Sequence, residues 1–251
     1  MQVSLFTTCL TDTFRPRVAV ATVRLLRHLG CEVDYRSDQT CCGQMYFNSG
    51  YHKQAREIAR HMLKVFSESE YVVCPSGSCT AMIREYYEAL FKQDGELQGC
   101  VNELIGKTYE LTEFLIGVLQ VDWSRYRLEG GGRVTYHHGC HNRGLGQKAE
   151  QVIELIGQIK GVEYVRPEKM DQCCGFGGMF AVKMDGISAS LAADKSKCLA
   201  ATRADRVVIN EGGCWVQIAG YNHREGAPVR AVHIAELLAE SLGLMDGEGA
   251  S

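Results

Sequence analysis

Two sets of cysteines repeat along this chain of 251 residues: Cys9, Cys41-Cys42 and Cys79, then Cys140, Cys173-Cys174 and Cys214. Corresponding members stand 131, 132 and 135 residues apart, and a glycine, Gly43 or Gly175, follows each adjacent pair. Thiolates hold zinc or iron–sulfur centres. Structural zinc sites commonly take their ligands in Cys-x2–4-Cys pairs, whereas adjacent cysteines have Cα atoms about 3.8 Å apart and side chains that tend to diverge. A polynuclear cluster offers several iron atoms, so both sulfurs of such a pair can find a metal without meeting at one. The eight cysteines are therefore expected to hold iron–sulfur centres. Gly43 and Gly175 are expected beside the cofactor. Glycine adopts backbone angles closed to other residues and lets N–H groups approach sulfur, where hydrogen bonds help set the potential.

Other reactive side chains carry weaker signals. Cys31, Cys100 and Cys198 lie outside the repeated sets and read as buried small apolar residues. Cys74 is intermediate, because it ends an expected strand near the first set while its counterpart at offset 135 is Ile209. The run Tyr136-His137-His138-Gly139-Cys140-His141 places three histidines beside a candidate ligand. They could relay protons or bind metal, or be loop histidines with ordinary hydrogen bonds. His141 is the strongest candidate to touch the cofactor because it follows Cys140 directly. Arg143 reads as a surface arginine, with charge balance for a cluster as its functional alternative. Gly175-Phe176-Gly177-Gly178 lacks the Lys-Ser/Thr that would complete a P-loop, and reads as backbone wrapped closely around the second cysteine set. No G-x-G-x-x-G stands at an expected strand–helix junction, so no nicotinamide or flavin fingerprint is present.

The elements that must position these cysteines also repeat. Gly30-Cys31-Glu32-Val33 matches Gly161-Val162-Glu163-Tyr164 at offset 131, and Val72-Val73 matches Val207-Val208 at offset 135. A nearly constant offset over many markers argues for duplication. Strands are expected at 3–7, 31–35 and 71–74, and again at 134–136, 162–165 and 207–209. Helical stripes run through Val18, Ala21, Leu25 and Leu29, through Ala55, Ile58, Met62, Val65 and Phe66, and over 151–159 and 187–199. The fold class is α/β: two βαβα-type halves with parallel sheets, related by internal duplication. The cysteine motifs fall just beyond strand ends, where ligands bind in open α/β sheets, so three loops per half can converge on one centre. The stretch 101–121 reads as a connecting helix, and 111–119 and 231–242 as packing helices. Gly130-Gly131-Gly132 marks the expected boundary between a half over 1–127 and a half over 133–244, with a frayed tail at 245–251.

Bulk composition limits the partners. The chain is 45% hydrophobic and 23% charged, with a net charge of -3 and no basic stripe, so no nucleic-acid partner is expected. No apolar run approaches the roughly 20 residues that span a bilayer, and the N-terminus lacks the features of a signal peptide. A cytoplasmic protein without membrane insertion is expected. In that reducing setting twelve cysteines point to metal or redox chemistry.

The chain resembles the cysteine-rich CCG domain family, whose members carry a cysteine, a Cys-Cys-Gly and a terminal Cys-x-x-Cys, often twice. One of the subunits of heterodisulfide reductase and the iron–sulfur subunit of glycolate oxidase belong to it. The resemblance is carried by Phe47-Asn48-Ser49-Gly50-Tyr51, by Pro75-Ser76-Gly77-Ser78-Cys79, by Cys173-Cys174-Gly175-Phe176-Gly177-Gly178-Met179-Phe180 with Val182-Lys183, and by Ala192-Ala193-Asp194-Lys195. One feature departs from the heterodisulfide reductase pattern: the first position of each terminal Cys-x-x-Cys is Ser76 in one half and Glu211 in the other. Each half thus offers four motif cysteines instead of the five that support a non-cubane cluster in that relative. Four suffice for a 4Fe-4S cluster, one per half, unless Glu211 or a nearby histidine completes a site. Within the family the segments most resemble members engaged in lactate utilization. That implies an iron–sulfur electron-transfer subunit in the oxidation of L-lactate to pyruvate. It would work with other lactate utilization proteins, themselves iron–sulfur subunits, and would not be a complete enzyme alone. Two alternatives stand beside it: a heterodisulfide-reductase-like thiol/disulfide catalyst at a cluster, and a zinc-binding scaffold.

Overall fold

Valine-rich runs open both halves. In the computed structural model, which describes residues 1–246, they form the inner strands of two parallel sheets. The first sheet contains β1 (Gln2–Leu5), β2 (Glu32–Tyr35), β3 (Tyr71–Cys74) and β4 (Thr108–Glu110), in the order β2-β1-β3-β4. The second contains β5 (Glu129–His137), β6 (Lys160–Tyr164), β7 (Arg206–Ile209) and β8 (Arg230–His233), in the order β6-β5-β7-β8. All neighbours are parallel, and the order is the same twice. Val3, Val72, Val73, Val207 and Val208 are fully buried, as parallel strands covered on both faces require. The α/β class and the two similar halves are those read from the sequence.

Amphipathic helices cover the sheets. Arg17–His28 buries Val18, Ala21, Leu25 and Leu26, and His52–Val65 buries Ala55, Ala59, Met62 and Leu63. In the second half the helices are Ala149–Gly157 and Asp185–Ala200.

The fourth strand of each half corrects the sequence reading, which gave 101–121 and 231–242 entirely to helices. Helix Gln98–Lys107 instead runs into β4, and helix Ile234–Ser241 begins only after β8. Each strand ends on a residue that caps the next helix. Glu110 forms a capping box with Glu113, and His233 one with Glu236. A strand of three or four residues joined directly to a helix is too short to disturb the helical spacing around it. The stretch 111–119 is also a helix of three residues, Leu111–Glu113, followed by a π-helical turn, Phe114–Val118.

The glycine run, expected as a boundary, lies inside β5, where the pairing with β6 shifts between Glu129 and Gly132. A Cβ on Gly161 would come within 2.7 Å of the Gly130 carbonyl oxygen, so these glycines let two strands approach closely at a bulge. Of the stretch expected to fray, Met245 packs against the core and the Asp246 carbonyl accepts from Arg17 Nη2 at 2.7 Å. Residues 247–251 lie outside the described residues.

One hydrophobic cluster joins the halves, with Val3, Leu25 and Phe114 beside Val134, Leu155, Val208 and Leu238. Helix Arg17–His28 packs on helix Ile234–Ser241, and Arg15 Nη2 lies 2.9 Å from Oε1 of the fully buried Glu236. Among the described residues no helix is long and apolar enough to cross a membrane.

Candidate metal centre

The order β2-β1-β3 reverses the direction of strand succession beside β1 while all strands stay parallel, and three loops leave the same sheet edge there. Cys9 starts helix Cys9–Phe14 after β1, Cys41 and Cys42 lie in the loop after β2, and Cys79 sits in the first turns of helix Gly77–Ala81 after β3. The second half does the same. Cys140 starts helix Cys140–Gly144, Cys173 and Cys174 follow β6, and Cys214 lies in the first turn of helix Gly212–Glu225. Four of the eight sulfurs thus stand at the starts of helices.

The sequence reading foresaw a centre in each half. The structure brings all eight cysteines to the wall of one cavity. Reciprocal packing explains it. Helix Cys9–Phe14 packs on helix Gly212–Glu225, and its counterpart, helix Cys140–Gly144, packs on helix Gly77–Ala81. Each half therefore sets its first cysteine against the helix that carries the last cysteine of the other. Asn142 fits between Gly77 and Gly139, where a Cβ on either would come within 2.7 Å of its amide.

Within each quartet the sulfurs meet in the same way. Cys9 Sγ lies 3.7 Å from Cys41 Sγ, and Cys42 Sγ lies 3.3 Å from Cys79 Sγ. Cys174 Sγ lies 3.1 Å from Cys214 Sγ, and the Cys140 thiol hydrogen-bonds Cys173. Gly43 N–H donates to Cys41 Sγ at 3.4 Å, and Gly175 N–H to Cys173 Sγ at 3.3 Å. Both glycines are left-handed, with φ of +89° and +87°. An added Cβ would meet the Ala55 carbonyl oxygen at 3.3 Å in the first and the Ser188 carbonyl oxygen at 2.7 Å in the second.

One sulfur of each set ionises far ahead of the others. Hydrogen bonds from Cys42, Cys9 and the Gly43 amide bring Cys41 down to about 3, and those from Cys140, Cys174 and the Gly175 amide bring Cys173 down to about 2. Their neighbours are pushed up. Cys9 and Cys140 rise as donors to these thiolates, and Cys42 and Cys174 rise as donors buried among sulfurs. A second thiolate in either set needs a positive charge close by. Among the described residues no lysine or arginine lines the cavity, which measures about 120 Å³. That is several times the roughly 30 Å³ share of one water molecule in the liquid. Dense soft donors, no cationic side chain and space for more than a single ion suit a polynuclear metal group held by Cys9, Cys41, Cys42, Cys79, Cys140, Cys173, Cys174 and Cys214.

The histidines sort differently from the sequence ranking. His141 lines the cavity, with Nδ1 3.7 Å from Cys140 Sγ and Nε2 3.3 Å from Gln44 Nε2. His138 pairs with Asp171 Oδ1 at 3.2 Å. His137 was not singled out, yet it forms a compact buried trio with Cys174 and Cys214, the three ligand atoms all within 4.8 Å of one another. Burial brings its pKa down to about 3, so the ring is neutral. The signal available in the sequence was its counterpart at offset 131, which is Phe6.

The departures from the five-cysteine pattern also meet. Glu211, 3% exposed, accepts from Ser76 Oγ and from both the amide and the hydroxyl of Ser78. Cys74 is fully buried at the end of β3, its thiol donating to the Ser76 carbonyl and lying beside Cys79. Of the three cysteines expected to be buried, Cys31 is, whereas Cys100 is exposed and Cys198 half-buried, its sulfur accepting from the Lys169 amide. Arg143 is exposed. Gly177 and Gly178 line the cavity, and the Phe176 ring lies against Gly213.

Fold and site together define a duplicated α/β protein whose halves present cysteine loops to a shared cavity. The cysteine-rich domain CCG matches residues 3–84 and 134–219, once in each half. Lactate utilization protein A of Anoxybacillus flavithermus is 45% identical over 239 residues, covering 95% of this chain and 99% of that one. The protein of the same name from Geobacillus thermodenitrificans is 46% identical over 239 residues, covering 95% and 98%. The chain belongs to the cysteine-rich CCG domain family, in the group that carries the name lactate utilization protein A. A crystal structure of a hypothetical protein from Helicobacter pylori has the same fold, with a TM-score of 0.69 at 10% identity. The match covers 98% of this chain and 49% of that one.

Proposed function

We propose that the two quartets hold iron–sulfur centres of the 4Fe-4S type, one per half, and that the chain relays electrons in lactate utilization. The carrying observation is the meeting of two like cysteine quartets on one cavity that offers thiolates no cationic side chain. Bound there, such centres supply one-electron carriers. The chain's own residues do the rest. Eight sulfurs grip the metal, the Gly43 and Gly175 amides hold the first thiolate of each set, and His141 rests against Cys140. The electrons derive from the oxidation of L-lactate to pyruvate, which the other lactate utilization proteins share as iron–sulfur partner subunits, and the setting is cytoplasmic. This chain acts as a redox subunit, with no residue assigned to abstract hydride from lactate.

Iron and acid-labile sulfide analysis of anaerobically purified protein tests the reading. Cys42→Ala and Cys174→Ala should each remove about half of both. Reconstitution with the partner proteins should then lose lactate-dependent electron transfer in Cys42→Ala. Colourless protein with stoichiometric zinc would overturn the iron reading.

The exposure of Cys9, Cys140 and Cys173 favours one second reading, reduction of a disulfide substrate to two thiols by two electrons and two protons. Robust disulfide turnover with a low-potential electron donor would favour it over relay.

A further inference from the structure

We infer that His137 is a ligand of the second centre, so that this half binds metal through four sulfurs and one imidazole nitrogen while the first half does not. The inference rests on the iron–sulfur reading and extends it to a residue outside the cysteine pattern.

His137 is the last residue of β5 and is 1% exposed. Among the described residues neither ring nitrogen has a hydrogen-bond partner. Leaving a buried polar group unsatisfied costs about 1–3 kcal/mol, and native proteins rarely do so without a compensating role. The flanking side chains are both engaged: Tyr136 bonds Asn210 Oδ1 at 3.1 Å, and His138 pairs with Asp171. The buried His233 likewise meets the Pro75 carbonyl at 3.0 Å. His137 instead has Cys174 and Cys214 Sγ within 4.8 Å, and those two sulfurs lie 3.1 Å apart. A neutral imidazole carries a lone pair on one nitrogen, and here its near neighbours are sulfurs that themselves suit metal.

The duplication supplies an internal comparison. The counterpart of His137 is Phe6, which packs with Cys42 and Cys79 and meets Phe66 edge-on at a centroid distance of 5.7 Å. The corresponding position thus holds a buried ring in both halves, inert in one and able to coordinate in the other. Histidine in place of thiolate raises a cluster's potential, whereas a neutral nitrogen added to four thiolates leaves their charge unchanged and alters only the donor set. The two centres should then differ in donor set and in potential.

Pulsed electron paramagnetic resonance on the full chain tests this. The protein is reconstituted anaerobically with ferrous iron and sulfide, reduced with dithionite, and prepared with natural and 15N-labelled histidine. A directly bonded nitrogen should appear and change with the label, without any variant having to fold. It should vanish in His137→Phe, the first half's own residue, and persist in His141→Ala. His137→Cys should lose it and lower the potential of one centre only. Filled centres without histidine coupling, or coupling that survives in His137→Phe, would overturn the inference and leave the iron–sulfur reading standing. Protein that takes up no iron and sulfide would overturn both.

Discussion

Ser76 Oγ donates to Glu211 Oε2 at 3.1 Å, and these two residues are counterparts in the duplication, 135 residues apart like Cys79 and Cys214. The positions where a heterodisulfide-reductase-like sequence carries a fifth cysteine here bind each other. The seam between the halves therefore runs through the cysteine-lined cavity, whose wall includes both Ser76 and Glu211. Ser78 N–H, Ser78 Oγ and Gly213 N–H also donate to the Glu211 carboxylate, at 2.5, 2.7 and 3.0 Å.

Glu211→Ala should cost about 3 kcal/mol or more, because hydrogen bonds to a charged group contribute about 1.5–3 kcal/mol and the stranded donors are buried. Glu211→Gln should cost less, since one amide oxygen still accepts. Ser76→Ala should cost about 1 kcal/mol. Denaturant unfolding of the three variants checks the order, and a Glu211→Ala variant within about 0.5 kcal/mol of the parent would remove these hydrogen bonds from the account.

Gly175→Ala should be worse than Gly43→Ala. Both place an L side chain at a left-handed φ, worth about 1–2 kcal/mol. Only the first also drives Cβ to 2.7 Å from a helix carbonyl, against 3.3 Å at Gly43. The extra strain should displace the Gly175 amide from Cys173. Unfolding midpoints and the iron content of the second quartet report the two effects.

These glycines were legible before any coordinates, because a repeated Cys-Cys-Gly combines a donor pair with a residue that opens φ space. The sheet class was legible as well, since Val3, Val72 and Val207 stand in short β-branched runs between helical stripes. What escaped depended on the contact between halves. Nothing in the spacing of Cys9 and Cys214 shows that their helices pack together, so two quartets read as two pockets. His137 was ranked below His141 for a related reason: proximity in sequence favoured His141, whereas the end of β5 places the earlier histidine beside Cys174 and Cys214. Thr108 and Ala231 were misread because their strands are shorter than a helical period can resolve.

Stability should fall as pH rises from about 4.5 to 7, through Glu110. Burial raises its pKa to about 7, against hydrogen bonds from Thr112, Gln147 and the Glu113 amide that act in the opposite sense. Its Oε1 has no partner among the described residues and offers the place for a proton. Tyr136 also faces this carboxyl group, and the Glu113 carboxylate accepts from the Glu110 backbone amide. An acid with a raised folded pKa binds more protons folded than unfolded in that window. Its contribution is therefore present below the unfolded value and lost by the folded one, to a total of about 3 kcal/mol. Glu110→Gln should flatten this part of the profile. Urea unfolding at pH 5 and pH 8 should show the variant gaining on the parent at the higher pH.

Lys195 should raise the potential of the second centre alone. Its side chain is fully buried, and Nζ donates to the Lys169 and Met170 carbonyls at 2.6 and 3.1 Å. Burial lowers its pKa, while Cys198, Cys214 and Cys174 pull the other way, which places the ammonium within electrostatic reach of the second quartet. A nearby cation stabilises the more negative, reduced state of a metal centre. Removing it in Lys195→Met should lower that centre's potential by an amount on the order of tens of millivolts, for a charge in a protein interior of intermediate dielectric. The two carbonyls lose their donor, at about 1–3 kcal/mol each, but the cost of burying a charge disappears with it, so net stability should change less than either effect alone. Anaerobic redox titration followed by electron paramagnetic resonance separates the outcomes. A fall confined to the second centre supports the assignment. An equal shift in both centres would place the lysine's influence in the fold as a whole, and a rise would contradict the sign of the argument.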